Sequence, residues 1–165
     1  MSQLKIRIWP DPDLRIVASL VTNFGHGLQQ IVGNMAETMY AHKGAGLAAT
    51  QVGIHQRIFV MDVSKDQTKL EIFINPQILS KSEERILMKD EGCLSFPGIL
   101  ESIHRHEWVK GTALDSEGTP FAFYYKDFGA QCIQHEIEHL DGKVLVDHFS
   151  RPKRRFIEKV LRKRR

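Results

Sequence analysis

The chain has 165 residues, 42% of them apolar and 26% charged, which fits one soluble globular domain and excludes collagen-like or low-complexity chains. A chain of this length buries roughly 70% of its unfolded surface and folds without disulfides. Its two cysteines, Cys93 and Cys132, make no disulfide scaffold. The net charge of +3 is unevenly spread: residues 151–165 carry nine basic residues and one acid, Glu158, whereas residues 1–150 carry 14 basic and 19 acidic residues. No apolar run approaches the roughly 18 residues that a membrane span needs. Residues 1–14 lack the apolar stretch of a secretory signal. A reduced, cytoplasmic protein without membrane contact is expected.

Along the chain, Pro10, Asp11 and Pro12 mark an early turn. Leu28, Ile31, Val32, Met35, Ala36 and Met39 recur at helical spacing and predict a helix over 25–42, stopped at Lys43-Gly44. The β-branched and aromatic segments 57–63 and 71–75 predict strands. Segments 108–114 and 120–125 flank Ser116-Glu117-Gly118 and predict a hairpin. A second helix fits 127–140. A third fits 152–164, with Phe156, Ile157, Val160 and Leu161 on one face. Strands and helices do not alternate as βαβ units, so the class is α+β. The expected architecture is mostly antiparallel sheet packed around a central helix, with further helices near each terminus. Residues 1–150 are expected to form the body and 151–165 a basic helical extension of the same domain.

The sharpest chemical signal is His135-Glu136-Ile137-Glu138-His139. On a helix, positions i and i+4 share a face, so two imidazoles can grip one metal ion with Glu136 beside it to handle a proton. A catalytic metal needs a third protein ligand and an open position. One protease extension is met at Gly142 but fails at Leu145, and the only later Glu is Glu158 in the basic tail. Cys93, in Glu91-Gly92-Cys93-Leu94-Ser95, is the better third ligand. A thiolate with two imidazoles suits a borderline-soft ion: Fe(II), Zn(II), Ni(II) or Co(II). Cys132 reads as a small buried hydrophobe. The segment Gly44-Ala45-Gly46-Leu47-Ala48-Ala49-Thr50-Gln51 brings backbone close to a ligand or makes a tight helix-to-strand loop; it is no dinucleotide fingerprint.

Taken together and in order, Gly44–Gln51, Glu91–Ser95 and Gln134–Gly142 resemble the three signatures of peptide deformylases. The resemblance extends to Pro10-Asp11-Pro12 with Leu14, to Ile74-Asn75-Pro76 and to the helix after Phe149-Ser150. It implies hydrolysis of the N-formyl group of N-formylmethionyl peptides, with release of formate. It also implies that Cys93, His135 and His139 bind the metal, typically Fe(II), and that Glu136 is the general acid and base. Gln51 and the Leu94 backbone N–H would stabilise the oxyanion. Main-chain groups of the Gly44, Ala45 and Gly46 segment would pair with an extended substrate, and Gln131 would line its pocket. In related bacterial enzymes a basic tail docks on the ribosome, so 151–165 has two readings: an RNA-binding helix or a solvated helix packed on the body. A monomer is expected. Two rival functions are a zinc endopeptidase and a paralogue serving as a ribosome-binding or redox-sensing module.

The chain departs from the family pattern at several places. Glu138 stands where Asp is usual, with Arg105 a candidate partner. Lys43 and Leu100 stand where many relatives have an acid and an Arg. Gln131, one turn before His135, stands where an aliphatic residue is usual. His104 and His106 read as surface histidines.

Overall fold

A computed structural model describes residues 2–163. Seven strands form two antiparallel sheets. β1 (Gly46–Ala48), β2 (Ile58–Met61), β3 (Glu71–Lys81), β6 (Trp108–Leu114) and β7 (Pro120–Lys126) make a five-stranded sheet in the order β1-β2-β3-β6-β7. β4 (Arg85–Gly92) and β5 (Leu100–His106) form a separate hairpin. The helices are α1 (His26–Ala41), α2 (Asp127–Leu140) and α3 (Arg151–Lys163).

Alternation along the strands sends side chains to two cores. Phe59, Met61 and Phe73 join Ala130, Ile133 and Leu140 of α2 on one face of the large sheet. Ile58, Val60 and Ile74 join Leu28, Val32, Met35 and Met39 of α1 on the other. All four residues of β2 are therefore buried. The apolar stripe read from α1 is thus the face that covers the sheet. On its far side α2 meets the β4–β5 hairpin, where the Gln134 side chain takes the His106 N–H at 3.0 Å and donates to the His106 carbonyl at 2.9 Å. A third core joins Trp9, Leu14, Phe96 and Ile103 to Ile157 and Leu161 of α3.

The helices match their expected spans closely; Arg164, the expected end of the third, lies outside the described residues. Three expectations are corrected. β3 does not stop at Asn75 but runs through Pro76 to Lys81. A proline normally argues against an inner strand, but here Asn75 adopts φ +50° and the pairing with β6 shifts between Ile74 and Gln77. The segment after α1 is more than a tight loop: it contains β1 and a 3-10 turn at Ala49–Val52. Phe156 does not share the packed face of α3, being 67% exposed, while Ile157 and Leu161 are buried. His104 is exposed as expected; His106 is half-buried, its Nδ1 2.8 Å from the Ser82 carbonyl oxygen.

Truncating Leu161 to Ala should cost about 3 kcal/mol through the cavity it leaves. Phe156→Ala on the same helix should change stability by less than about 0.5 kcal/mol. Urea denaturation of the two variants measures the contrast; equal losses would contradict this packing of α3.

Candidate metal centre

Helix α2 divides its side chains by function. Ala130, Ile133 and Leu140 face the sheet. Phe128, Gln131, Cys132 and His135, spaced at i, i+3, i+4 and i+7, line a cavity of ≈ 500 Å3. The helix ends at Leu140, and just beyond its cap Gly142, with φ +74°, turns the chain away; a Cβ there would stand 2.7 Å from the Arg15 carbonyl oxygen. Across the cavity, β4 ends at Gly92 and the chain turns through Cys93, with the Phe96 N–H bonded to the Cys93 carbonyl at 2.9 Å. Trp9 pins this turn by donating its N–H to the Ser95 carbonyl at 3.0 Å. The third wall is the end strand β1, which pairs with β2 through Gly46↔Met61.

Of the ten residues singled out from the sequence, nine line this cavity: Gly44, Ala45, Gly46, Gln51, Cys93, Leu94, Gln131, His135 and Glu136. His139 lies behind the wall, 1% exposed. One ligand atom each from Cys93, His135 and His139 lies within 4.8 Å of the others. Cys93 Sγ is 3.3 Å from His139 Nε2, which is 3.2 Å from His135 Nε2. Two imidazole nitrogens and a sulfur thus converge on one point. Burial, with His135 and Arg105 nearby, holds the His139 pKa well below its usual value, favouring the neutral ring that a metal requires. The donor set and its convergence fit a borderline-soft divalent ion.

Sequence reasoning missed the group that orients this centre. Glu91 is 4% exposed and accepts from His135 Nδ1 at 2.9 Å, leaving Nε2 to face Cys93 and His139. Arg105 binds the same carboxylate twice, through Nε at 3.0 Å and Nη2 at 2.6 Å. Gln131 Nε2 supplies a further bond at 3.2 Å. Burial pushes the Glu91 carboxyl up, but the bonds from His135 and Arg105 outweigh it and hold it at about 2. The remaining Arg105 nitrogen reaches Glu138 at 2.6 Å, and Glu138 also meets His148 at 3.0 Å. Glu138 thus braces Arg105 as expected. Glu91 stood inside a recognised motif, yet only the fold brings Arg105 and His135 to it.

Glu136 behaves differently. Its Oε2 is buried without a partner, and burial pushes the carboxyl up to about 7. A Cβ on Gly46 would come 2.7 Å from Glu136 Oε1, so the glycine gives that carboxylate its room. Gln51 accepts the Ala48 N–H on Oε1 at 3.0 Å, which turns Nε2 toward Ser95 Oγ at 3.0 Å and Cys93 Sγ at 3.5 Å. Burial also pushes the Cys132 thiol up, so it stays protonated beside Cys93's wall. Lys43 and Leu100 both stand on the cavity rim.

The raised Glu136 pKa has a consequence for stability. The folded chain keeps this proton between about 4.5 and 7 while the unfolded chain loses it, so stability falls as pH rises through that window. In chelator-treated protein, Glu136→Gln should remove this fall. It should raise stability at pH 8 by on the order of 3 kcal/mol and by little at pH 4.5. Urea denaturation at the two pH values measures it; equal stability of variant and wild type at pH 8 would contradict the buried, unpartnered carboxylate.

The chain matches the Polypeptide deformylase family model over residues 3–155. It is 44% identical to a peptide deformylase of Azotobacter vinelandii over 163 residues, covering 99% of this chain and 96% of the other. To the peptide deformylase of Cellvibrio japonicus it is 46% identical over 164 residues, with the same coverage. Its fold superposes on a peptide deformylase from Legionella pneumophila with a TM-score of 0.93 and 38% identity, covering 98% of this chain and 94% of that one. The enzyme from Ehrlichia chaffeensis, solved in complex with actinonin, gives a TM-score of 0.93 at 37% identity, covering 99% and 98%. The chain belongs to the polypeptide deformylase family.

Proposed function

We propose that this protein hydrolyses the N-formyl group of N-formylmethionyl nascent peptides and releases formate. The observation that carries the reading is the convergence of Cys93, His135 and His139 beside the unpartnered Glu136 carboxylate. These three ligands would hold a divalent ion, Fe(II) by the family resemblance or Zn(II), Ni(II) or Co(II) in its place; such an ion brings the pKa of a bound water toward 7. Glu136, on the helix that carries both histidines, takes a proton from the attacking water and later returns it to the departing amine. Its pKa near 7 suits both directions of transfer. The formyl oxygen gains negative charge as water adds, and the Gln51 side-chain N–H and Leu94 backbone N–H donate to it. Gln51 is held in place for this by its bond to Ala48. Main chain of residues 44–46, on and beside the end strand β1, pairs with the extended peptide.

The reading includes a preference for formyl over acetyl groups, supported by the small residues Gly44, Gly46 and Gly92 in the cavity lining. Added Cβ atoms would come 2.8 Å from Leu94 at Gly44 and 3.0 Å from Leu100 at Gly92. We read residues 1–150 as the catalytic body of a monomeric cytoplasmic enzyme and 151–165 as its basic extension. Arg155, Lys159 and Arg162 are exposed on α3, so the helix presents cations to a phosphate backbone while Ile157 and Leu161 anchor it. Among the described residues, no helix is long and apolar enough to cross a membrane.

Glu136→Gln should lower formate release by at least about 10²-fold while metal content by elemental analysis stays at the wild-type value. Retained activity in that variant would overturn the assigned role. For α3, the triple change Arg155→Glu, Lys159→Glu and Arg162→Glu should weaken ribosome binding and flatten its salt dependence, leaving formate release unchanged. Unchanged ribosome affinity would leave the extension with a packing role alone.

A further inference from the structure

Gln51 meets the cavity through one side-chain amide, and its surroundings determine which of the two N–H bonds points there. Its Oε1 accepts the Ala48 N–H at 3.0 Å, which fixes the oxygen end of the amide and turns Nε2 away from Ala48. Nε2 carries two hydrogens. Ser95 Oγ lies 3.0 Å from it on one side and Cys93 Sγ 3.5 Å on the other. Gln51 and Cys93 both line the cavity, whereas Ser95 stands behind the wall, 0% exposed. Ser95 therefore takes the hydrogen that faces the interior, and the second is left toward the cavity.

The spacing of this pair is fixed by main chain. The Ser95 carbonyl accepts the Trp9 backbone N–H at 3.0 Å, and the Trp9 ring stacks on Phe96 with centroids 5.9 Å apart. Earlier in the same segment, the Arg7 backbone N–H bonds to the Gln51 carbonyl at 2.7 Å. Residues 7–9 thus tie the main chains of Gln51 and Ser95 together across the distance at which their side chains meet. Without the hydroxyl, Nε2 would hold a buried N–H that has lost its acceptor, and the amide would turn toward another. An oxyanion donor works by being in place before the charge develops, so such a turn costs rate although Gln51 is still present.

We propose that Ser95 is a positioning residue: its hydroxyl oxygen holds the interior N–H of Gln51, so that the other N–H faces the reacting formyl oxygen. The proposal rests on the deformylase reading and deepens it, extending the oxyanion site to a buried residue that does not touch the substrate.

The test is a double-mutant cycle of Ser95→Ala and Gln51→Ala in metal-loaded protein, with formyl-Met-Ala-Ser as substrate and metal content checked by elemental analysis. Ser95→Ala should lower kcat at least about tenfold and change KM less than about twofold. In the Gln51→Ala background the same substitution should lower kcat less than about twofold, because the amide it acts through is gone. Equal losses in the two backgrounds, or an unchanged kcat in the single variant, would overturn the proposal. NMR of 15N-labelled, zinc-loaded protein follows the Gln51 side-chain amide directly. Its two hydrogens should be distinct and slow to exchange in the wild type, and one should lose that protection in Ser95→Ala. Fast exchange of both in the wild type would contradict the proposal even if the variant does not fold. If no peptide yields formate yet the amide responds to Ser95→Ala as stated, the positioning of Gln51 is supported and the deformylase reading falls.

Discussion

Almost wholly buried, the Glu91 carboxylate joins the hairpin to the helix that bears both histidines. It accepts from His135, twice from Arg105 and once from Gln131. Arg105 is itself 1% exposed and carries Glu138 on its remaining nitrogen. Desolvation of so many charges offsets much of their mutual attraction, so the network is a device for orientation more than a source of stability. What it fixes is the tautomer and rotation of His135. With Nδ1 committed to Glu91, the other ring nitrogen has one direction to face, toward Cys93 and His139.

The rest of the fold supplies three walls for that point. β1 is positioned by β2, and β2 by being buried on both faces between α1 and α2. Cys93 is positioned by the end of the hairpin and by the N-terminal segment at Trp9. Helix α2 reconciles both, apolar toward the sheet and carrying Gln131, His135 and Glu136 toward the cavity. The contrast between the two acids of the site is a product of placement: Glu91, on β4, meets cations on both oxygens and stays ionised, whereas Glu136, on α2, has an oxygen buried without a partner and its pKa is pushed up to about 7.

Long periodic elements were readable in the sequence because one residue's neighbours along the chain set their pattern. The stripe Leu28 to Met39 and the segment 108–125 are of this kind. Cys93, His135 and His139 were legible because residue type and spacing alone restrict what can ligate. The pairing of Glu91 with Arg105 was not, since the two are 14 residues apart and meet through the β4–β5 hairpin, with its bulge between Met88 and Glu91; only the Arg105–Glu138 pair was readable. Pro76 misled for a related reason: its missing N–H is tolerated only because β3 slips register there. Phe156 misled because helical spacing defines a broad stripe, and only packing against Trp9 and Phe96 narrows it to Ile157 and Leu161.

The most direct measurement is formate release from formyl-Met-Ala-Ser by protein purified without oxygen and assayed for bound metal, with acetyl-Met-Ala-Ser and an unformylated peptide beside it. The account predicts formate from the formyl peptide alone, in proportion to metal content. Bound metal with no formate, or cleavage within the unformylated peptide, would contradict it.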